Sequence, residues 1–392
     1  MFLAGLTLAV LAGLAVVVID YATRPLLAAG PMVQLVRPDG FSVVWWATRR
    51  GRAALEVDLP GNGTASVPAT WDDAGQRVMA TVDSLPAFAE PVEFRIVHRS
   101  WVGLARVIGR GRGRVAKGAD EPLRFLVFGD SGSGKTAQYE LGELMPRQSP
   151  DLVIHTGDLV YPKGQWLDYG PKFFQPYEAL LREVPFYPCL GNHDIRTEAG
   201  RPFLAAFAWP DNGPPGQPRG AHYWFDCGPA RFVTFDSDVS ADVLKNVIAP
   251  WIEPILAAPG PKWRFVFCHH PPYTGCANHP PEVSVQEALV PIFERTRVDV
   301  VFNGHNHLYE RTRSIRDGRI VPDGQGIFYI VSGAGGATLY PERANRPEYI
   351  AKFDDQMHGF TVVDVEGRVL RVRHINRLGD LVDDWTYTRP GS

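Results

Sequence analysis

Five short segments of this chain concentrate residue types that bind metal ions. They are GDSG at 129–132, GDLVY at 157–161, GNHD at 191–194, HHPPY at 269–273 and GHNHLYER at 304–311. Carboxylate, phenol, amide and imidazole groups recur in them, and first-row transition metals accept all of these as ligands. A lone histidine is more often a buried or surface residue than a ligand, but the joint occurrence of these groups reverses that expectation.

The segments supply enough side chains for two metal ions. The candidate ligands are Asp130, Asp158, Tyr161, Asn192, His269, His305 and His307. An aspartate such as Asp158 can bridge two ions with its two oxygens and hold them about 3.5–4 Å apart, as in two-metal hydrolysis. The sequence therefore predicts a dinuclear site.

Apolar runs that precede or contain most of these segments predict buried strands. The runs are LRFLVFGD (123–130), DLVIHTGD (151–158), VPFYPCLGNHD (184–194), ARFVTFDSD (230–238), WRFVFCHH (263–270) and VDVVFNGHNH (298–307). Helix-like stretches, including 136–145 and 284–295, lie between several of them, so the pattern predicts an α/β fold. Sites in open α/β sheets assemble at the carboxyl ends of strands, which is where these polar groups stand.

The first part of the chain has a different hydrophobic pattern. Short alternating segments such as FSVVWWAT (41–48) and VEFRIV (92–97), separated by turn clusters, predict a β-sandwich over 31–108. A Gly- and Arg-rich stretch, 109–122, is interpreted as a linker, and the catalytic domain is expected over 123–392.

Residues 1–24 are interpreted as a transmembrane anchor or a signal segment. The run from Phe2 to Ile19 contains only one polar side chain, Thr7, and is just long enough to cross a bilayer as a helix. We therefore expect an extracytoplasmic protein, membrane-anchored through this segment or secreted. The first basic residue, Arg24, follows the run, and the positive-inside rule mildly opposes export.

Composition excludes several other classes of protein. With 392 residues, 45% hydrophobic and 21% charged, the chain is an ordinary globular protein of about two domains. A net charge of −3 argues against nucleic-acid binding. The four cysteines, Cys189, Cys227, Cys268 and Cys276, form no CxxC pair, so zinc ribbons are excluded, while two disulfides and four thiols both stay open.

Two other functions compete with metal-dependent catalysis. Residues 129–136, GDSGSGKT, match the P-loop pattern, in which Lys135 would reach a nucleotide phosphate and Thr136 would hold Mg²⁺. That hypothesis leaves the other four segments without a role. The third hypothesis is a catalytically silent surface protein that binds through its β-sandwich, and the intact ligand set argues against it.

The five segments, in this order, resemble the five motifs of the purple acid phosphatases within the calcineurin-like metallophosphoesterases. The resemblance covers roughly 123–365, and PMVQLVRPDGFSVVWWAT (31–48) is similar to the start of the fibronectin-like domain of plant-type members. It implies two packed mixed β-sheets flanked by helices, preceded by a fibronectin-III-like β-sandwich and, here, by an N-terminal hydrophobic helix.

The resemblance also implies the cofactor, an Fe(III) ion paired with Fe(II), Zn(II) or Mn(II). Asp130, Asp158, Tyr161 and His307 would hold the trivalent ion, and Asp158, Asn192, His269 and His305 the divalent one. Most relatives in the wider superfamily carry a histidine where Gly132 stands here, so Tyr161 would supply the missing ligand. A phenol, with a pKa of about 10, ionises at neutral pH only beside a strongly charged cation.

The activity implied is hydrolysis of phosphate monoesters, with diesters as an open alternative, by attack of a metal-bound hydroxide. His193 is the first candidate for binding the phosphate, together with Asn192, or for protonating the leaving group, and His279 is the second. Asp194 and Glu310 either orient nearby histidines or lie at the surface, and the sequence is equally compatible with both roles. The expected substrate is a phosphorylated small molecule or phosphoprotein.

Overall fold

The chain folds into two units, each with its own hydrophobic core. The computed structural model describes residues 2–59, 61, 63–86, 90–100 and 102–390. One unit contains Met1–Val115 and Leu181–Glu183, and the other contains Ala116–Leu180 and Val184–Ser392.

The described residues of the first unit form eight strands after an N-terminal helix, α1 (Phe2–Thr23). The strands are β1 (Leu27–Arg37), β2 (Gly40–Ala47), β3 (Arg52–Leu59), β4 (Gly63–Pro68), β5 (Thr70–Trp71), β6 (Arg77–Val82), β7 (Val92–Arg99) and β8 (Ala105–Gly113). They form two antiparallel sheets, in the orders β1-β2-β6-β5 and β4-β3-β7-β8. The last strand, β8, lies partly inside the range 109–122 that the sequence predicts as a linker.

The two sheets pack face to face as a sandwich, and buried residues alternate with less buried ones along the strands. In β6, for example, Val78, Ala80 and Val82 are buried and the residues between them are half-buried. Trp45 of β2 and Phe94 of β7, from opposite sheets, belong to the same core. A period-two pattern with one buried face is what a two-layer sandwich requires.

Helix α1 occupies the apolar run at the start of the chain. Several of its described side chains are exposed, including Leu14, Val17 and Val18. Among the described residues, no helix is both long and apolar enough to span a membrane. The anchor stays a prediction from the sequence.

Fifteen strands lie in the part of the second unit that the structure describes. They are β9 (Leu123–Phe128), β10 (Leu152–His155), β11 (Phe186–Pro188), β12 (Tyr223–Cys227), β13 (Ala230–Thr234), β14 (Trp263–Phe267), β15 (Val300–Asn303), β16 (Tyr309–Thr312), β17 (Ile315–Arg316), β18 (Arg319–Ile320), β19 (Phe328–Ser332), β20 (Ile350–Asp354), β21 (Gly359–Glu366), β22 (Val369–Asn376) and β23 (Leu381–Thr388). The two large sheets have the orders β11-β10-β9-β21-β22-β23 and β12-β13-β14-β15-β19-β16-β20, and both mix parallel and antiparallel pairs.

All six apolar runs that the sequence predicts as strands contain one. They are β9, β10 and β11 in one sheet and β13, β14 and β15 in the other, and the neighbours within each trio are parallel. Because parallel strands end at the same edge of a sheet, the polar segments that follow them are brought together.

The helices of this unit are short. They are α2 (Thr136–Leu144), α3 (Glu178–Leu181), α4 (Arg201–Ala206), α5 (Ala241–Val243), α6 (Ala249–Ala257), α7 (Val283–Ala288) and α8 (Val290–Arg295). The helix-like stretch predicted over 284–295 is helical but divided, since α7 ends and α8 begins on either side of Leu289. Pro291 has no N–H to donate back to residue 287, and its ring crowds that carbonyl.

Aromatic side chains fill the space between the two large sheets. Phe125 of β9 has its ring centroid 5.2 Å from that of Phe232, 5.3 Å from Phe265 and 5.9 Å from Phe302, which lie on β13, β14 and β15. All four side chains are fully buried. The sheets therefore pack face to face. All four cysteines are buried and free, which decides between the thiols and disulfides that the sequence leaves open.

Candidate metal centre

Two buried carboxylates follow the first two strands of the six-stranded sheet. Asp130 comes after β9 and Asp158 after β10, and they are 0% and 1% exposed. Their φ angles are +55° and +56°, and His305, after β15, has a φ of +67°. Left-handed backbone at non-glycine residues is strained and collects at functional sites, because the surrounding structure must hold it in place.

Glycines let these groups approach one another. A Cβ atom on Gly191, just before Asn192, would lie 2.2 Å from Oδ1 of Asp158. A Cβ atom on Gly304, just before His305, would lie 2.6 Å from Oδ2 of Asp130. Both distances are far below a van der Waals contact, so the glycine that opens each segment is required by the packing.

One half of the centre consists of Asp130, Tyr161 and His307. The Tyr161 hydroxyl lies 3.2 Å from Oδ1 of Asp130 and 3.1 Å from Nε2 of His307, which is 3.5 Å from the same carboxylate oxygen. Nδ1 of His307 lies 2.7 Å from the carbonyl oxygen of Thr338 and donates to it. This bond fixes the tautomer and leaves the Nε2 lone pair directed into the centre.

The other half consists of Asp158, Asn192, His269 and His305. Nε2 of His269 lies 3.1 Å from Oδ1 of Asn192 and 3.6 Å from Oδ1 of Asp158, while its Nδ1 donates to Thr156 O over 2.8 Å. The rings of His269 and His305 are 5.1 Å apart. Ligand atoms of Asp130, Asp158 and His269 all lie within 4.8 Å of one another, so the two halves are contiguous.

The structure thus brings all seven candidate ligands to one place. Their donor atoms are carboxylate, phenol and amide oxygens and imidazole nitrogens, a set suited to first-row transition metals. The residues fit a dinuclear metal centre.

The backbone of Gly132 packs so closely against the segment before Tyr161 that position 132 has no room for a side chain. A Cβ atom on Gly132 would lie 1.9 Å from the carbonyl oxygen of Leu159. The carbonyl oxygen of Gly132 in turn accepts from Tyr161 N over 2.9 Å. A histidine at position 132 would clash with this segment, and the same contact sets the backbone that presents the phenol.

The two candidate proton donors, His193 and His279, lie beside different candidate ligands. His193 N donates to Oδ1 of Asp158 over 2.8 Å, and its ring centroid is 4.4 Å from that of Tyr161. The ring of His279 is 4.2 Å from that of His305. Both side chains are half-buried.

Two other buried histidines, His270 and His155, have defined partners. His270 lies at the centre, with its ring 4.4 Å from that of His305 and its Nδ1 2.9 Å from Ser237 Oγ. His155 is fully buried and bonded through Nε2 to Ser131 Oγ over 2.8 Å.

The predicted supporting carboxylates also have defined partners. Asp194 accepts from the amides of Leu159 and Gly191 over 3.0 and 3.1 Å, and so joins two ligand-bearing loops. Glu310 accepts from Gly275 N over 2.8 Å, in the loop that carries His279. These contacts are with backbone amides and not with histidine rings.

Two residues that contact the candidate ligands, Tyr340 and Lys172, were not predicted from the sequence. The Tyr340 ring stacks on His307, with centroids 4.0 Å apart and an interplanar angle of 13°, and its amide donates to the His307 carbonyl. Lys172 Nζ donates to the carbonyl oxygen of Tyr161 over 2.6 Å. Lys172 lies in the helical turn Gly170–Phe174 and Tyr340 lies in a loop. Neither segment carries a motif, so no sequence signal pointed to them.

Burial shapes the electrostatics of the centre. It raises the pKa of Asp130 well above its usual range, with the neighbouring Asp158 charge adding to the effect. Burial, and then the charges of Asp130 and Asp158, raise the pKa of Tyr161. Burial lowers the pKa of His269 and of His305, and it lowers that of His307 to about 4. The imidazoles are therefore neutral and free to coordinate, and a cation would relieve the crowded anionic groups.

The P-loop hypothesis is unsupported by the backbone of 129–136. The amide of Ser133 donates to Ser131 O over 2.7 Å, that of Gly134 to Gln138 Oε1 over 2.8 Å, and that of Lys135 to Ser133 Oγ over 3.2 Å. A phosphate cradle needs such N–H groups free to point at the ligand. Here internal bonds occupy them.

Glu310 makes the stability of the protein depend on pH. Burial raises the pKa of this carboxyl from 4.5 to about 7, so between these values the folded state keeps a proton that the unfolded chain has lost. Stability must therefore fall as pH rises through this window. Glu310→Gln keeps the oxygen that accepts from Gly275, and we expect it to stabilise the metal-free protein at pH 8 by up to about 3 kcal/mol, with little effect at pH 4.5.

Urea unfolding of chelated protein at the two pH values measures this difference. Glu366→Gln, at an exposed position, is the control for removal of one negative charge. An equal effect of Glu310→Gln at both pH values would contradict the assignment of the titrating group.

Comparison with known proteins shows which family this chain resembles. Residues 123–309 match the model of the calcineurin-like phosphoesterase family. The chain is 26% identical over 308 residues to purple acid phosphatase 3 of Arabidopsis thaliana, covering 69% of this chain and 78% of that protein. It is 24% identical over 310 residues to acid phosphatase type 7 of Mus musculus, covering 68% of each.

A solved structure has the same fold. The purple acid phosphatase isolated from yellow lupin (Lupinus luteus) seeds superposes with a TM-score of 0.82 at 18% identity, covering 94% of this chain and 75% of that one. The match to the calcineurin-like phosphoesterase model covers just under half of this chain. The chain is similar to the purple acid phosphatases, and it is a hydrolase of phosphoric esters. This kind of protein implies a dinuclear metal centre.

Proposed function

We propose that the protein is a dimetal-dependent phosphatase that hydrolyses phosphate monoesters. The observation that carries the proposal is the convergence of seven donor side chains, with ligand atoms of Asp130, Asp158 and His269 within 4.8 Å of one another. The proposed metals are Fe(III) and a divalent iron, zinc or manganese ion. Tyr161 supports the trivalent ion, because burial beside two carboxylates opposes a phenolate unless a strongly charged cation is present.

The proposed assignment of ligands follows the two halves of the centre. Asp130, Tyr161 and His307 would hold the trivalent ion, Asn192, His269 and His305 the divalent one, and Asp158 would bridge them. When bound, such a pair of ions supplies an activated water and neutralises charge on the phosphoryl oxygens.

The reaction breaks the bond between phosphorus and the ester oxygen and forms one between phosphorus and a water oxygen. The leaving oxygen must receive a proton, so that the products are an alcohol and inorganic phosphate. His193 is suited to this role because its Nδ1 donates to the carbonyl oxygen of Pro162 over 2.7 Å, which leaves Nε2 facing the centre, 4.0 Å from Oδ2 of Asp158. His279, beside His305, is the second candidate.

The test combines metal analysis, a visible spectrum and hydrolysis of p-nitrophenyl phosphate by the full chain. We expect about one iron per chain, a visible band from the phenolate and metal-dependent turnover. Tyr161→Phe should lose the band and bind iron more weakly, because its ring keeps the packing but offers no oxygen. Two divalent ions with no band in the native protein would overturn the trivalent part of the proposal.

Two further variants separate this proposal from nucleotide binding. His305→Ala should abolish hydrolysis, since it removes a ligand, whereas Lys135→Ala should leave it intact, since Lys135 is exposed and its amide bonds locally. The reverse result, with ATP bound by the native protein, would favour the P-loop hypothesis.

We further propose that the first unit is a fibronectin-III-like domain. If its strands are lettered A, B, C, C′, D, E, F and G in chain order, the sheet orders become A-B-E-D and C′-C-F-G, which support this topology. A crystal structure with another strand order would contradict it.

For localisation we propose an extracytoplasmic protein, anchored by α1 or secreted. The exposed apolar side chains of the helix, such as Leu14 and Val17, support this. Cell fractionation combined with protease accessibility tests it, and a protein fully protected in intact cells would contradict it. The proposed substrates are phosphorylated small molecules or phosphoproteins, and diester hydrolysis is to be assayed beside them.

A further inference from the structure

The segments that follow Tyr161 and His193 form a rim beside the centre. This rim carries two cationic residues that have no role in the proposed catalysis. They are Lys163 and Arg196, and both are exposed. Within the described part of the chain, no carboxylate pairs with either side chain. An unpaired cation beside a site for anionic esters is a candidate for binding substrate.

Hydrogen bonds place Arg196 next to His193. Nη1 of Arg196 donates to the carbonyl oxygen of Pro162 over 3.3 Å, and Nδ1 of His193 donates to the same oxygen over 2.7 Å. The two nitrogens therefore lie within about 6 Å of each other. The guanidinium group has five N–H donors, of which this bond uses one.

The same two loops also hold Lys163. Thr197 Oγ1 donates to the carbonyl oxygen of Lys163 over 2.6 Å, and this ties the segment after Tyr161 to the segment after His193. Each loop carries metal-ligand candidates, Tyr161 in one and Asn192 in the other. The fold thus fixes the Arg196 guanidinium group beside His193 and the backbone of Lys163 in the neighbouring loop.

Other charges close to this rim are already neutralised. Arg201 pairs with Glu198, and Lys172 pairs with Asp168 over 3.0 Å. The rim is therefore left with a net positive charge from Lys163 and Arg196. Such a charge attracts a second anionic group on the substrate but contributes little to an ester that has none.

We propose that Lys163 and Arg196 form a subsite for a second phosphate on the leaving group, so that the enzyme favours esters carrying two phosphates. The inference rests on the proposed function, in which the leaving group lies beside His193. With one phosphate at the metal ligands, the second reaches the rim, where guanidinium groups bind phosphate through paired hydrogen bonds.

The test compares two substrates that share one sugar, fructose 1,6-bisphosphate and fructose 6-phosphate, on the metal-loaded full chain. We expect kcat/KM to be higher for the bisphosphate in the native protein. Arg196→Gln should lower that ratio about fivefold, mainly through KM, which is the scale of one charge-assisted contact at a solvated site. Arg196→Lys should restore part of the ratio, and high salt should reduce it in the native protein.

Arg201→Gln is the matched control, since it removes the same charge from an exposed arginine that is paired with Glu198. It should leave the ratio unchanged. A ratio that is unaffected by Arg196→Gln, or an equal loss for both substrates, would overturn the subsite. Failure of the native protein to hydrolyse p-nitrophenyl phosphate with any metal would instead overturn the proposed function.

Discussion

Replacing Asp158 by Asn is expected to lower kcat about 10³-fold or more and to release metal from the protein. The carboxylate lies close to both halves of the centre, since Oδ1 is 3.6 Å from Nε2 of His269 and a ligand atom of Asp130 lies within 4.8 Å. An amide keeps the shape and the oxygen that accepts from His193 N, but it lacks the negative charge and the second bridging oxygen. Metal content by mass spectrometry and turnover of p-nitrophenyl phosphate measure the two effects.

The same change should stabilise the metal-free protein. The Asp158 charge, after burial, is a cause of the raised pKa values of both Asp130 and Asp194, so these carboxylates repel one another when no cation is bound. Removing one charge relieves this repulsion, and we expect a higher Tm for chelated Asp158→Asn than for the chelated native protein.

Asp317→Asn is the matched control for Asp158→Asn. Asp317 also has left-handed backbone, with a φ of +50°, but it lies at an exposed turn. Asparagine tolerates this conformation, so the control should change neither metal content nor turnover. Full turnover and full metal content in Asp158→Asn would remove the bridging role from this residue.

Phe125→Ala is expected to lower the free energy of unfolding by about 3–5 kcal/mol. The Phe125 ring is fully buried and lies 5.2–5.9 Å from three aromatic rings of the facing sheet. Truncation removes apolar contact area and leaves a cavity between two rigid sheets that can close only partly. Urea unfolding of the chelated protein measures the change.

Two further substitutions calibrate that result. Phe125→Leu fills part of the cavity and should lose about 1–2 kcal/mol. Leu167→Ala, at a side chain that is 92% exposed, should change stability by less than about 0.5 kcal/mol. A loss below 1 kcal/mol for Phe125→Ala, in the range of a surface change, would mean that the two sheets do not depend on this contact.

Much of the fold could be predicted because its strands are buried on both faces. Runs such as LRFLVF and WRFVF leave few alternatives to a central strand, and they correspond to β9 and β14. Helices were harder to bound, because the apolar pattern of 284–295 continues across Leu289 while the backbone breaks there. Periodicity detects the buried face of a segment, but Pro291 decides its hydrogen bonds.

The ligand set was predictable for a related reason. Glycine followed by a ligand at a strand end, as in Gly191–Asn192 and Gly304–His305, reflects the close approach that only glycine permits. The sequence by itself therefore determined which candidate ligands meet and which edge of the sheets they occupy, and their chemical roles stay predictions.

Tertiary structure decided everything that depends on distance between remote segments. It set the stacking of Tyr340 on His307, the anchoring of Tyr161 by Lys172 and the position of Arg196 beside His193. These contacts join segments that no repeating pattern links, and their residue types are common at any surface. Local sequence specifies backbone conformation and burial, whereas the partners of a loop side chain are fixed only when the packed sheets bring separate loops together.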